Sequence, residues 1–215
     1  LQKSYRREIR ETRGMSAMPM GHAAYRRIAT LGSGATAFDF GVPARRDARR
    51  FIERYEWLGH CGNALKAFAI WRGFSLYGVE MFSPLPLGVY GALAPGDRVG
   101  AWVLARGACS LDAGHNAATQ LLGASLRQLR REGCRLVIAY SDPNAGERGV
   151  IYRAANAVAC GVTSGSWRYY LIAGRWYQVD VGGNFDATGD AVIFFSTRAY
   201  NDPNNCADGI GVKTL

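Results

Sequence analysis

Asp142 follows a short unbroken apolar run, CRLVIAY, and heads an Asp-Pro-Asn turn that leads through Gly146-Glu147-Arg148-Gly149 into VIYRAANAVACG. The carboxyl end of a buried strand is where open α/β sheets hold ligands. Partial desolvation raises a carboxyl pKa toward the range of a useful general base, and a carboxylate at hydrogen-bonding distance both positions a nucleophile and takes its proton. Asp before Pro also caps turns and helices, so Asp142 has a structural reading of equal standing. Glu56, in RYEW at the end of an earlier helical stripe, is a candidate second carboxylate for the same cleft. Its plainer reading is a solvated partner of a nearby arginine. Tyr140, Tyr152 and Trp57 are able to stack on a flat ring, Ser141 lies at the strand end, and Asn144 is able to pair with an adenine edge in bidentate fashion. Those aromatics are also ordinary core residues, and Asn144 an ordinary turn residue.

Other chemistries find less support. The three histidines, His22, His60 and His115, show no His-x-x-x-His or Cys-x-x-His spacing, and the five cysteines contain no Cys-x-x-Cys pair. Neither a zinc finger nor a disulfide framework is expected, and no metal site is evident. Cys109, Cys134 and Cys160 fall inside apolar patterns, where a thiol acts as a small core residue and a reducing cytoplasm suits it. No run of about eighteen apolar residues predicts a membrane span. The formal net charge of +9 calls for a polyanionic partner, nucleic acid first. Arg45, Arg46, Arg49, Arg50 and Arg148, with Arg127, Arg130 and Arg131, are the candidates for phosphate neutralisation.

The elements that position these groups are legible in outline. Residues 1–35 read as a basic, loosely held extension, 36–181 as the catalytic domain, and 182–215 as a Gly/Asn-rich segment with one strand, AVIFFST, packed on that domain. AFDFGVP is a strand, and Pro43 suits the entrance of the helix that follows it. In ARRDARRFIERYEWLG, Ala48, Phe51, Ile52 and Tyr55 make one buried stripe. LKAFAIW and FSLYGVEMFSP form a hairpin, and LPLGVYGALAPGDRVG is a loop. AWVLARGACSL is a strand. DAGHNAATQLLGASLRQLRREG is a helix with Leu121, Leu122, Leu126 and Leu129 on its apolar face, ending at Gly133. VIYRAANAVACG is a helix, and SWRYYLIAG with RWYQVDV a hairpin-like pair. The sum is an α/β fold, a mixed twisted sheet flanked by helices.

This order resembles the GCN5-related N-acetyltransferase (GNAT) fold, in which an acyl donor's pyrophosphate rests on the amides opening a helix. The matching corner here contains Gly114, His115 and Asn116, the expected donor-binding residues. Of the usual signature, Arg or Gln, then Gly two residues further along, then Gly or Ala, only Gly114 is present, and Asp112 adds a negative charge. In more detail, YEWLG, MFSP, VLARGACSLDAGHNAATQLL and AYSDPNAGERGVIYRAANAVACG together resemble the phage Mom family of DNA-modification proteins, over roughly residues 37–178.

That resemblance implies an enzyme that transfers a carbamoylmethyl-type, or related acyl or aminoacyl, group to the exocyclic N6 amine of adenine in DNA and so shields it from restriction. It implies Asp142 as the strand-end aspartate, Tyr152 as the helix tyrosine and Arg106 as the strand arginine. The family's His-Tyr pair reads Glu56-Trp57, its helix serine reads Ala118 or Thr119, and its Gly-His-x-Gly loop reads Gly146-Glu147-Arg148-Gly149. Catalysis is thus expected from Asp142, Glu56 and Tyr152, with Tyr140, Ser141, Asn144, Trp57, Arg106 and Thr119 around the substrate. The expected partners are DNA and a small-molecule donor, acyl-CoA-like or aminoacyl, in the cytoplasm of a bacterial host; a dimer is compatible with the sequence. The competing readings are an acetyl-CoA-dependent N-acetyltransferase on a small amine or protein, and a non-catalytic DNA-binding or virion-associated protein.

Overall fold

The expected alternation of strands and helices builds a sheet with a helix packed on each face. The computed structural model describes residues 16–21, 25–56, 58–85, 100–141, 149–163, 167–172, 175–180 and 191–196, with side chains described up to residue 159. In chain order the elements are β1 (Met18–Pro19), β2 (Arg26–Leu31), β3 (Phe38–Val42), α1 (Arg45–Tyr55), β4 (Lys66–Arg72), β5 (Ser75–Pro84) and β6 (Ala101–Cys109). They continue as α2 (Ala117–Arg131), β7 (Leu136–Ser141), α3 (Val150–Ala154), β8 (Ala157–Thr163), β9 (Trp167–Ile172), β10 (Arg175–Asp180) and β11 (Ala191–Ser196). Among the described residues, one sheet runs β2-β3-β4-β5-β6-β7-β11-β8, with β1 added beside β5, and β9 and β10 form a separate pair. Its pairings are antiparallel except β6 with β7, which is parallel.

Each helix buries the stripe that its sequence spacing demands. Ala48, Phe51 and Ile52 of α1 pack on Leu76, Val79 and Met81 of β5. Leu121, Leu122, Leu126 and Leu129 of α2 pack on the other face against Phe68, Ile70, Phe82 and Leu104. Full burial of side chains this size contributes roughly 1.5–3 kcal/mol each, enough to fix both helices on the sheet. The α2 helix ends where Gly133 takes a left-handed φ of 87°, a conformation that glycine adopts without Cβ strain.

Three elements depart from the pattern read in the sequence. VIYRAANAVACG is helical only over Val150–Ala154. Asn156 then takes φ 60°, the left-handed region that ends a helix, and residues from Ala157 continue as β8. The β-branched residues of AVACGVT favour that outcome over helix. Residues 18–31, inside the segment expected to be an extension, supply β1 and β2. The C-terminal strand, β11, lies within the central sheet, between β7 and β8.

Two features of β6 create an opening. Met81 pairs with Arg106 but Phe82 pairs with Leu104, so Ala105 is the extra residue of a β-bulge. The parallel pairing with β7 stops at Leu104 and Ala139. Beyond it, β6 pairs with β5 alone, while Tyr140 and Ser141 of β7 pair with β11. The two strands therefore split, and among the described residues the rest of β6 has no second neighbour.

Candidate functional site

The split between β6 and β7 has a different lining on each face of the sheet. The bulge at Ala105 shifts the alternation of β6, which places Arg106 on the α1 face together with Ala108. Side-chain alternation places Tyr140 on that face as well, since its neighbour Ala139 belongs to the α2-side core. Burial raises the Tyr140 phenol above its ordinary pKa.

Arg106 is anchored where α1 ends. Its Nε donates to the His60 carbonyl at 3.0 Å, its Nη1 to the Ala105 carbonyl, and its Nη2 lies 3.3 Å from His60 Nε2. The His60 Nδ1 accepts from the Gly62 N–H at 3.2 Å. A neutral imidazole has one acceptor nitrogen, so the ring satisfies only one of these two donors at a time.

Glu56 is the C-cap residue of α1 and only 6% exposed. Its Oε2 accepts from the Leu58 N–H at 2.8 Å and the Gly59 N–H at 3.1 Å, and lies 3.9 Å from Arg106 Nε. The plain reading of Glu56 as a solvated partner of a local arginine is therefore corrected. It is a buried carboxylate that folds the chain after α1 and faces an arginine fifty residues away in sequence. Two backbone amides occupy its Oε2, and the Arg106 guanidinium lies near that same oxygen, so this oxygen closes the turn after α1 and helps fix Arg106.

Tyr152 of α3 donates its hydroxyl to the Tyr140 carbonyl at 3.2 Å, pinning α3 to the end of β7. Its ring packs against the α2-side core. Ser141, the last residue of β7, is buried on that side with its hydroxyl unpartnered. Thr119 and Ala118 are half-buried in the first turn of α2. Asp142, Asn144, Arg148 and Trp57, all singled out in the sequence, lie outside the described residues.

Before α2, Gly114, His115 and Asn116 are exposed, Gly114 takes φ 91°, and no side chain caps the helix. The orphan amides of that first turn suit an anion. Asp112 does not compete for them. Its Oδ2 accepts from the Ala17 N–H at 2.8 Å, which ties the segment before β1 to this corner.

Arg45, Arg46, Arg49 and Arg50 all lie exposed on α1, the helix that terminates at Glu56. The basic surface and the Arg106 cluster thus share one face of the sheet. Among the described residues no group of three His, Cys, Asp or Glu side chains is placed to hold a metal ion, and no helix is long and apolar enough to cross a membrane.

The sequence reading missed Glu80 and Ser125. Glu80, on β5, is 4% exposed and its Oε2 has no hydrogen-bond partner. Burial pushes its carboxyl up to about 8, and a side-chain hydrogen bond with Ser125 of α2 pulls in the other direction. The available signal was a lone Glu within the apolar strand FSLYGVEMFSP, since Glu is rarely fully buried without a specific reason.

A mixed sheet flanked by helices, with a parallel strand pair that splits and a helix opening between its two strands, matches the order that resembles the GNAT fold. Comparison with solved structures agrees. A protein assigned to the GNAT family of acetyltransferases from Desulfovibrio desulfuricans superposes with a TM-score of 0.50 at 16% identity, over 75% of this chain and 99% of that one. Others are the ribosomal-protein-S18-alanine N-acetyltransferase of Escherichia coli (0.48, 13% identity, 74% and 92%) and a spermidine/spermine N-acetyltransferase of Vibrio cholerae (0.48, 13%, 75% and 93%). No curated protein matches the chain by sequence. The family model of the Mom protein family matches residues 38–182, and the chain belongs to that family.

Proposed function

We propose that this protein is a phage DNA-base modification enzyme that transfers a carbamoylmethyl-type group, or a related acyl or aminoacyl group, to the exocyclic N6 amine of adenine. Family membership supports the reading. The observation that carries it is that the arginine face of α1 and the Arg106 cluster share one side of the β6/β7 split.

An exocyclic amine is a weak nucleophile because its lone pair is delocalised into the ring. Catalysis therefore rests on positioning, a proton acceptor and stabilisation of charge on the donor. Arg45, Arg46, Arg49 and Arg50 hold the DNA backbone. The target base leaves the duplex stack to enter the split, where the Tyr140 ring offers it a stacking surface. Asp142, the residue directly after β7, takes the proton as the amine forms its new N–C bond and the donor's leaving group departs with the electron pair. Arg106, fixed by Glu56 and His60, faces that developing negative charge. Tyr152 keeps the end of β7 in place. An acyl-CoA-like donor would place its phosphates on the amides after Gly114, His115 and Asn116, with Thr119 beside them.

The reading is tested by protection of co-expressed plasmid DNA from restriction, for the wild type and Asp142→Asn. Protection should be lost in the variant while DNA affinity stays within about two-fold. Protection equal in both removes Asp142 from the mechanism, and DNA binding without protection in the wild type favours a non-catalytic DNA-binding protein.

A further inference from the structure

The tip of the β4–β5 hairpin has no part in that mechanism, yet it presents two groups that the fold does not need there. Arg72 ends β4 and pairs with Ser75 of β5 across a loop of Gly73 and Phe74 alone. Gly73 takes φ 52°, as the first position of such a loop demands. The second position calls for no aromatic, and small polar residues are usual in turns. Phe74 is nonetheless 88% exposed, more than any other large hydrophobic among the described residues.

The loop that carries this ring is braced. Met18 and Pro19 of β1 pair with Leu76 and Ser75, and the Met20 N–H donates to the Phe74 carbonyl at 2.9 Å. A third strand thus holds the backbone at the point where the phenyl leaves it.

Arg72 is the second group. Its guanidinium carbon lies 3.9 Å from the centre of the Phe38 ring and 4.7 Å from that of Tyr77, which fixes the cation against two aromatic faces. Among the described residues no carboxylate pairs with it; Asp39, next to Phe38 on β3, is held by Arg27 at 3.2 Å. The Arg72 Nε is buried without a hydrogen-bond partner. A guanidinium stacked on aromatic rings and lacking a carboxylate suits a phosphate, which it grips through paired N–H groups.

The tip also stands at the right end of the sheet. Cys109, the last residue of β6, pairs with Gly78, and the Ser110 N–H donates to the Tyr77 carbonyl at 2.9 Å. The loop therefore lies roughly 10 Å beyond the end of β6, counting about 3.3 Å per residue, in the direction in which the split opens. An exposed phenyl beside an uncompensated cation finds both complements in a DNA duplex, apolar base faces inside and phosphates outside.

We infer that the β4–β5 tip is a wedge for duplex DNA, with Phe74 entering between two base pairs while Arg72 holds an adjacent phosphate. That DNA is the partner rests on the reading under Proposed function. Unstacking and kinking the duplex near the split would ease the departure of the target base from its stack.

The test is relaxation of a closed circular plasmid by topoisomerase I with the full-length protein bound, followed by removal of the protein. A wedge unwinds the duplex wherever it enters, so the wild type should leave a linking-number deficit that grows with the amount bound. Per bound protein, Phe74→Ala should leave about one-fifth of that deficit or less and Phe74→Trp about half or more. Both should melt like the wild type, because the Phe74 side chain is exposed. Arg72→Gln should lower the salt slope of DNA binding by about one. Equal deficits for wild type and Phe74→Ala, or an unchanged slope in Arg72→Gln, would each overturn the inference. So would a wild-type dimer that Phe74→Ala splits into monomers, since the tip would then serve self-association. DNA that is modified with no deficit would remove the wedge and keep the function. A deficit on DNA that stays unmodified would remove the function and keep the wedge.

Discussion

Replacing Glu80 by Gln should make the protein more stable, and by an amount that grows with pH. The carboxyl pKa is raised from 4.5 to about 8, chiefly by burial. Between those values the unfolded state has lost the proton and the folded state still holds it, so wild-type stability falls as pH rises, by about 1.4 kcal/mol per pH unit. Below pH 4.5 both states are protonated and the penalty vanishes; across the whole interval it reaches on the order of 4–5 kcal/mol. That is a large share of a domain's usual stability of roughly 5–15 kcal/mol. Gln has the same shape and no titration, so the difference between the two proteins isolates Glu80. Urea unfolding at pH 5, 6.5 and 8, followed by tryptophan fluorescence, should show small separation at pH 5 and a gain of several kcal/mol for Glu80→Gln at pH 8. Curves that stay parallel across that range would refute the reasoning, because a carboxyl with an ordinary pKa leaves no pH-dependent difference.

Arg106→Ala removes the donors to the His60 and Ala105 carbonyls and the cation facing Glu56. Thermal unfolding should show a loss of about 1.5–3 kcal/mol, as for hydrogen bonds made by a charged group, and plasmid modification should fall to background. Replacing Arg45, Arg46, Arg49 and Arg50 together by Ala should reduce the salt slope of DNA binding by roughly 3–4, if each meets one phosphate, with little change in stability; fluorescence anisotropy at several salt concentrations measures both slope and affinity. Phe51→Ala, beneath α1, should cost about 3–5 kcal/mol in denaturant unfolding.

What could be read in the sequence depended on how local its cause was. The Phe51 and Ile52 stripe, the leucine face of α2 and the stop at Gly133 follow from spacing within one helix, and each was legible. So was the order of elements that suggested the GNAT architecture, because CRLVIAY and AWVLARGACSL carry the marks of buried strands. The end of α3 was not, since the left-handed turn at Asn156 lies inside a stretch whose apolar spacing also suits a helix. The place of β11 between β7 and β8 depends on pairing partners distant in the chain. Glu56 could be marked as a candidate from its position after a helical stripe. Its burial came from Arg106 and from the amides of Leu58 and Gly59, which no local pattern encodes. Glu80 went unnoticed for the same reason, since its environment is assembled from β5, β6 and α2.

The central claim is that this fold modifies adenine in DNA, and the most direct measurement is mass spectrometry of nucleosides from plasmid DNA co-expressed with the protein in bacteria. The account predicts a new adenosine-derived nucleoside heavier by one carbamoylmethyl group, present with the wild type and absent with Asp142→Asn. Unmodified nucleosides from cells that contain the folded wild-type protein and its donor, or the same new nucleoside with Asp142→Asn, would contradict it.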